Sequence, residues 1–317
     1  MLIQRTFTRD ELALFPFNGE IFRLTGTMTG IWKPKVLTSA LSILTAFTHK
    51  EEDRPYEDGI GADGMLRYKW RGTDPNIADN RWLRDAMDQR VPIVWFLGVG
   101  YKPGTQTQLF EPIFPVWLVA EEPQSHQFVV ALEEAQRSLV QNGIVQFNEI
   151  EKRYNQTLVK TRVHQPMFRS QVLNAYQSRC AVCRLPFEKL LEAAHIKSDA
   201  EGGSAHITNG ISLCKIHHGA YDSLILGISP DYRIHIREDV LSTTDGPVLM
   251  HALNGMNKQP LGQIPEDKRN LPSRDLLQSA LRNFKRRASR ASGATQTTQR
   301  TSTRNTKSEN FLRRPNR

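Results

Sequence analysis

Two stretches of the 317-residue sequence determine how its second half folds: RCAVCRLPFEKLLEAAHIKS (Arg179–Ser198) and NGISLCKIHHGAYD (Asn209–Asp222). Five of the nine histidines lie between residues 195 and 235. Such a concentration of soft metal ligands in a short segment indicates a metal site. The two stretches also contain all three cysteines of the chain: Cys180, Cys183 and Cys214.

The cysteines and one histidine occur at matched spacing. Cys180 and Cys183 form a C-x-x-C pair, and Cys214 and His217 repeat that spacing after the intervening residues 184–213. A tight turn at each pair directs two ligands at one ion, and three thiolates with one imidazole are typical of closed structural zinc sites. Four unrelated side chains are the alternative, but the matched spacing and the use of every cysteine favour zinc.

Three polar side chains remain beside these ligands. AAHI predicts a short strand that carries His195, TNG places Asn209 in a loop, and HHGAYDSLI predicts a helix that begins near His218. Together with both ligand pairs, the pattern C-x-x-C, A-H-I, N-G-x-x-L-C-x-x-H-H-x-x-[FY]-D over about 179–237 resembles the HNH endonuclease module. The resemblance is to the zinc-stapled variant of bacterial restriction endonucleases.

The resemblance implies a ββα-metal fold and a role for each side chain. His195 matches the general base, Asn209 the residue that fixes the loop and orients the base, and His218 a ligand of a catalytic cation, commonly Mg²⁺. These residue types suit the chemistry. Phosphodiester hydrolysis needs a base to deprotonate water and a cation to stabilise developing charge, and a histidine with a pKa of about 6.5 is a suitable base.

One position departs from the family pattern. Many HNH enzymes have an acidic metal ligand immediately before the base, where this chain has Ala194. Asp222 is our preferred substitute, because it lies four residues after His218 and so on the same helix face. Glu192 is the alternative carboxylate, although it also fits an exposed strand residue.

Residues 1–158 mix strand-like and helical runs, which predicts an α+β domain around a curved, barrel-like sheet. In the segment 58–87, basic and apolar residues alternate. The pattern fits two interpretations equally well. One is an ordinary half-buried strand. The other is a strand whose basic face and aromatic face bind a nucleotide, including a base rotated out of the duplex. The alternating residues are Arg67, Lys69 and Arg71 with Leu66, Tyr68 and Trp70.

Within that segment, D-G-x-x-x-Y-x-[YW]-R-G-x-D resembles a stretch that precedes HNH modules in restriction enzymes. Some of those proteins resemble readers of modified bases with a pseudouridine-synthase-like or SRA-like barrel. The resemblance implies a recognition domain for DNA or a ligand over residues 1–158. Its expected pocket residues are Tyr68, Trp70, Arg71 and Asp74.

The basic character of the chain is confined to its end. Residues 285–317 contain ten of the 42 Lys and Arg residues but one of the 33 acids, so residues 1–284 carry 32 of each. With few apolar residues, this segment is expected to be a disordered basic tail. A solubilising role is favoured over binding of phosphate backbones. Residues 159–284 are then the HNH domain with its flanking helices.

Composition also bears on location. No run of about eighteen apolar residues is present, and charged residues interrupt the N-terminal segment, so neither a membrane span nor a signal peptide is expected. The C-x-x-C pair suits a reducing compartment, which favours the cytoplasm.

The sequence therefore predicts a metal-dependent HNH endonuclease that cuts double-stranded DNA, including modified DNA, in bacterial restriction or phage defence. It would hold a structural Zn²⁺ and a catalytic Mg²⁺ or similar cation, and cutting of both strands favours a homodimer. Two alternatives stay open. One is a non-catalytic zinc-containing DNA-binding protein, which the missing acid at Ala194 leaves open. The other is a nuclease gated by a small nucleotide bound to the N-terminal domain.

Overall fold

The computed structural model describes residues 6–27, 29–48, 59–140, 148–243 and 246–287. The chain divides into two compact units, Met1–Asn174 and Ala175–Arg317. Most of the predicted basic tail, residues 288–317, lies outside the described residues. Its first residues, 285–287, instead complete a helix over 274–287.

The first unit is built on a curled mixed sheet. Among the described residues, seven strands join in the order β4-β5-β7-β8-β9-β6, with β1 added to β8. β5 pairs parallel to β7 and the other pairs are antiparallel. Because the first part of β8 pairs with β7 and its later part with β9, the sheet curls into a half-barrel. The strands are β1 (Phe7–Thr8), β2 (Phe15–Phe17), β3 (Glu20–Phe22), β4 (Ile31–Trp32), β5 (Ser42–Thr45), β6 (Leu66–Lys69), β7 (Ile93–Tyr101), β8 (Gln108–Glu122) and β9 (Gln127–Ala131).

Helices pack against one face of this sheet and share a hydrophobic core with it. Leu83 and Ala86, on the apolar face of the second helix, are buried with Trp95 and Leu118 of the strands. The half-barrel and its helices confirm the predicted α+β class. The helices are α1 (Arg9–Ala13), α2 (Ala78–Asp88), α3 (Glu134–Leu139), α4 (Glu149–Val159), a π-helical turn (Lys160–His164) and α5 (Gln165–Ala175).

The segment after α4 belongs with the first unit. Val159, Val163 and Met167 are buried in the same core as the sheet. The division of the chain after Asn174 therefore lies later than the boundary at 158/159 that the sequence predicted.

β6 forms as predicted, but its basic residues are not equivalent. The Arg67 side chain is only 9% exposed, and its guanidinium lies 2.9 Å from both Asp63 and Glu122. Lys69 and Arg71 are exposed. Arg67 therefore belongs to an internal ion-pair network rather than to a basic surface. β9 pairs with both β6 and β8, and the Arg67 side chain reaches Glu122 at the end of β8.

The second unit contains a β-hairpin followed directly by a helix. β10 and β11 are antiparallel, and α6 begins at the residue after β11, which is the predicted ββα order. β12 and β13 form a second hairpin that contacts α6. Gly227 of β12 leaves room for the Phe284 ring of the last helix. The elements are β10 (Leu191–His195), β11 (Gly210–Cys214), α6 (Lys215–Asp222), β12 (Leu226–Ile228), β13 (Ile234–Ile236) and α7 (Glu238–Leu241).

Within the described part of the chain, each helix is too short or too polar to span a bilayer.

Arg67→Ala is expected to destabilise the first unit by about 3 kcal/mol, because it leaves the carboxylates of Asp63 and Glu122 without their cation. Urea unfolding followed by tryptophan fluorescence measures the change. Lys69→Ala, on the same strand but exposed, is the matched control and should stay within about 0.5 kcal/mol of the unmodified protein. Equal effects of the two substitutions would show that the network does not stabilise the unit.

Candidate active site and metal cluster

The four predicted zinc ligands converge. One ligand atom from each of Cys180, Cys183, Cys214 and His217 lies within 4.8 Å of the others. The Nδ1 atom of His217 is 3.1 Å from the Cys214 Sγ and 3.5 Å from the Cys180 Sγ. Cys183 is exposed and the other three ligands are buried. Three sulfurs and one imidazole nitrogen at these separations fit zinc.

A backbone carbonyl orients the imidazole of this cluster. The Nε2 atom of His217 is 2.7 Å from the Ala252 carbonyl oxygen, to which it donates. That hydrogen bond leaves the Nδ1 lone pair directed at the sulfurs, the arrangement usual for a metal-ligating histidine. Hydrogen bonds with Cys180, Cys183 and His217 lower the pKa of Cys214, which favours the thiolate that a metal requires.

The hairpin places His195 next to Asn209. His195 is the half-buried last residue of β10, and it pairs in register with Gly210, the residue after Asn209. Asn209 is 1% exposed. Its Oδ1 accepts from the Lys197 amide at 2.9 Å, and its Nδ2 donates to the carbonyls of Lys197 and Ser204 at 3.0 and 2.8 Å. Asn209 thus ties down the chain directly after His195.

His218 lies between both candidate carboxylates. Its Nδ1 is 2.7 Å from the Glu192 Oε2 of β10, and its Nε2 is 3.3 Å from the Asp222 Oδ2, one turn further along α6. The sequence pattern favoured Asp222 as the substitute carboxylate, and Glu192 also fitted an exposed strand residue. The structure brings both to one imidazole. This cluster of nitrogen and carboxylate oxygen donors fits a divalent cation such as Mg²⁺ or Mn²⁺.

Three of the four predicted recognition residues line one pocket of the first unit. The pocket has a volume of about 290 Å³. The Tyr68 hydroxyl donates to the Gly30 carbonyl at 3.4 Å, and burial raises the pKa of Tyr68, so the hydroxyl stays protonated at neutral pH. The pocket is lined by Thr29, Gly30, Ile31, Tyr68, Lys69, Trp70, Arg71 and Asp79.

The acidic residue of the pocket is Asp79, which the sequence prediction missed. Its side chain is 6% exposed and lies 3.0 Å from the Arg71 guanidinium. Asp74, the predicted acid, does not line the pocket, and its carboxylate accepts from the Asn76 amide in the turn before α2. Asn80, fully buried, bonds the backbone of Arg71 and so holds this rim. The signal in the sequence that could have identified this acid is the pair of adjacent polar residues, Asp79 and Asn80, in the first turn of the amphipathic helix α2.

Residues 180–229 match the family described as HNH endonuclease. The match contains the metal cluster, the hairpin and α6, and it confirms the predicted resemblance: this segment is an HNH endonuclease domain.

Two solved structures are similar to longer parts of the chain. One is titled "Modification dependent TagI restriction endonuclease" (16% identity, 87% of this chain and 90% of that chain, TM-score 0.28). The other is titled "Structure of the Type IV phosphorothioation-dependent restriction endonuclease ScoMcrA" (15% identity, 82% of this chain and 55% of that chain, TM-score 0.26). A search of the curated proteins found no match.

Cys180→Ser or Cys214→Ser is expected to unfold the second unit, because zinc binding at such sites contributes on the order of 10 kcal/mol to folding. Metal analysis of the purified protein should find a single zinc ion per chain, and each variant should lose it together with its thermal transition. His251→Ala, which removes an exposed histidine outside the cluster, is the control and should keep both. A chain purified without metal that unfolds at the same temperature would contradict the zinc assignment.

Proposed function

We propose that the chain is a metal-dependent HNH endonuclease that hydrolyses DNA phosphodiester bonds in bacterial restriction or phage defence. The observation that carries the proposal is the ββα element within residues 180–229, in which His195, Asn209 and His218 lie on a hairpin and helix joined to a four-ligand cluster. The restriction setting is inferred because the motifs resemble the zinc-stapled HNH variant of bacterial restriction endonucleases.

His195 is proposed as the general base. A neutral imidazole accepts a proton from the attacking water at physiological pH, which matches the requirement of the reaction. The base must also be held in place. The buried Asn209 holds the chain on the C-terminal side of His195 through three hydrogen bonds to backbone groups, and pairing of β10 with β11 holds the other side.

His218 is proposed to hold the catalytic cation with a neighbouring carboxylate. When bound, a divalent cation stabilises the negative charge that develops on the phosphate and the leaving oxygen. The chain's own contribution is to orient the imidazole through Glu192 and Asp222 and to supply anionic oxygens in place of the one absent at Ala194.

The Cys₃His cluster is proposed to hold a structural zinc ion. Four protein ligands complete a tetrahedron and leave no position for water or substrate, so this site serves folding rather than catalysis. Its position supports that role, because Cys214 is the last residue of β11 and the N-cap of α6.

The pocket of the first unit is proposed to recognise a nucleotide of the DNA substrate, including a modified base. Its volume lies near the lower end of the range for small-ligand sites. Tyr68 and Trp70 supply aromatic surface for a planar ring, the Asp79 carboxylate is a buried acceptor, and the exposed Arg71 guanidinium suits a phosphate. Asp74 is proposed to shape the rim from its turn rather than to contact the nucleotide.

His195→Ala should reduce DNA cleavage roughly 10²–10⁴-fold, because the attacking water loses its base. Zinc content, unfolding temperature and DNA affinity should not change, since His195 lies outside the cluster. His218→Ala should also inactivate, but raised Mg²⁺ or Mn²⁺ should restore part of its activity. Cleavage rates measured across a metal titration distinguish the two variants.

His251→Ala serves as the control for this series and should cut at the unmodified rate. Cleavage by His195→Ala as fast as by the control would contradict the proposed mechanism. Metal rescue at position 195 would show that His195 acts through the cation and not as the base.

Asp79→Asn and Tyr68→Phe should each weaken binding of the recognised DNA about tenfold or more. The first removes the charge of the buried carboxylate and the second removes the hydroxyl, while both preserve the shape of the pocket. Affinities for plain and modified duplexes, together with affinity for free nucleotides, measure the effect. Asp88→Asn is the matched control, since Asp88 is an exposed carboxylate of α2 that does not line the pocket. If all three variants bind every DNA like the unmodified protein, the pocket does not read the substrate.

A further inference from the structure

The imidazole of His218 contacts two carboxylates through different ring nitrogens. Glu192 lies 2.7 Å from Nδ1 and Asp222 lies 3.3 Å from Nε2. The three side chains differ in exposure: 23% for His218, 43% for Glu192 and 63% for Asp222. Two elements hold the carboxylates, since Glu192 belongs to β10 and Asp222 to α6.

A neutral imidazole cannot donate a hydrogen bond to both carboxylates. It carries one N–H and one lone pair, so one ring nitrogen donates a hydrogen bond and the other is available to a cation. Metal-ligating histidines usually donate the second nitrogen to a carboxylate or carbonyl, which fixes the tautomer and the ring orientation. One carboxylate beside His218 is therefore the hydrogen-bond acceptor, and the other can share the cation.

The distances distinguish the two roles. A separation of 2.7 Å between Nδ1 and Glu192 is that of a charge-assisted hydrogen bond. Two adjacent ligands of an octahedral Mg²⁺, with bonds of about 2.0–2.1 Å, lie about 3 Å apart. The distance of 3.3 Å between Nε2 and the Asp222 carboxylate is therefore compatible with two ligands that share one cation.

Exposure and rigidity favour the same assignment. Asp222 is the more exposed carboxylate, and Mg²⁺ keeps several waters and contacts substrate phosphate, so its site must be open. Glu192 is less exposed and lies in a strand whose register pairs it with Leu213. A side chain on a paired strand is suited to orient another residue.

We propose that Glu192 is a positioning residue, which accepts the Nδ1–H of His218 and thereby directs Nε2 at a divalent cation shared with Asp222. The inference rests on the proposed function, which supplies the cation. It gives separate roles to two carboxylates that the sequence offered as alternatives for the one absent at Ala194.

The test uses the full zinc-loaded chain with ¹⁵N-labelled histidine. The ring-nitrogen shifts of His218, identified by their loss in His218→Ala, should show a proton on Nδ1, and Mg²⁺ should shift Nε2. Glu192→Ala should lose the preference for the Nδ1–H tautomer, and its Mn²⁺ affinity measured without DNA should fall roughly 10–100-fold.

Three further variants separate positioning from ligation. Glu192→Gln keeps an acceptor oxygen and should retain the tautomer and most of the Mn²⁺ affinity. Asp222→Asn should lose Mn²⁺ affinity while keeping the Nδ1–H tautomer. Glu201→Gln changes an exposed carboxylate between β10 and β11 and should alter neither.

Two results would overturn the inference alone: a proton on Nε2 with the Mg²⁺ shift on Nδ1, or a Glu192→Ala variant with the affinity and tautomer of Glu201→Gln. Failure of the proposed function looks different. In that case the unmodified protein neither cuts DNA nor shows a Mg²⁺ shift at either nitrogen of His218, and the positioning role falls with it.

Discussion

The convergence of three thiols and one imidazole is the constraint on which the second unit depends. Cys214 ends β11 and caps α6, so fixing its sulfur fixes both the hairpin and the start of the helix. His218 follows the ligand His217 directly, and its position is set by the same attachment. The cluster therefore determines where the side chains proposed for catalysis lie, and as a closed four-ligand zinc site it would do so without taking part in the chemistry.

Much of this unit could be predicted because its information is local. Two C-x-x-C-like spacings, an apolar strand that ends in His195, and a helix that begins after Cys214 require a hairpin and helix for four ligands to meet. Asn209 was expected to fix the loop, and its three hydrogen bonds to backbone groups agree with that expectation. The roles of these residues in catalysis stay predictions.

The rest depends on contacts between distant residues, which spacing does not encode. Glu192 meets His218 across 26 positions, and Arg67 is enclosed by Glu122 across 55. Alternation along β6 indicated which residues share a face but not what covers each face. In the same way, the pocket takes Asp79 from a helix rather than Asp74 from the turn before it, because the curl of the sheet and not the sequence order decides what lies beside Tyr68.

The measurement that tests the central claim most directly is a DNA cleavage assay with the purified, zinc-containing chain. The substrates are a panel of plain plasmid and differently modified phage DNAs. Each is incubated with Mg²⁺, or with a chelator that removes Mg²⁺ and leaves the zinc in place. The account predicts cutting of at least one DNA of the panel, only when the divalent cation is present. A folded, zinc-loaded chain that binds these DNAs and cuts none of them in Mg²⁺ or Mn²⁺ would contradict it. Such a result would identify a DNA-binding protein that keeps the ββα architecture without catalysis.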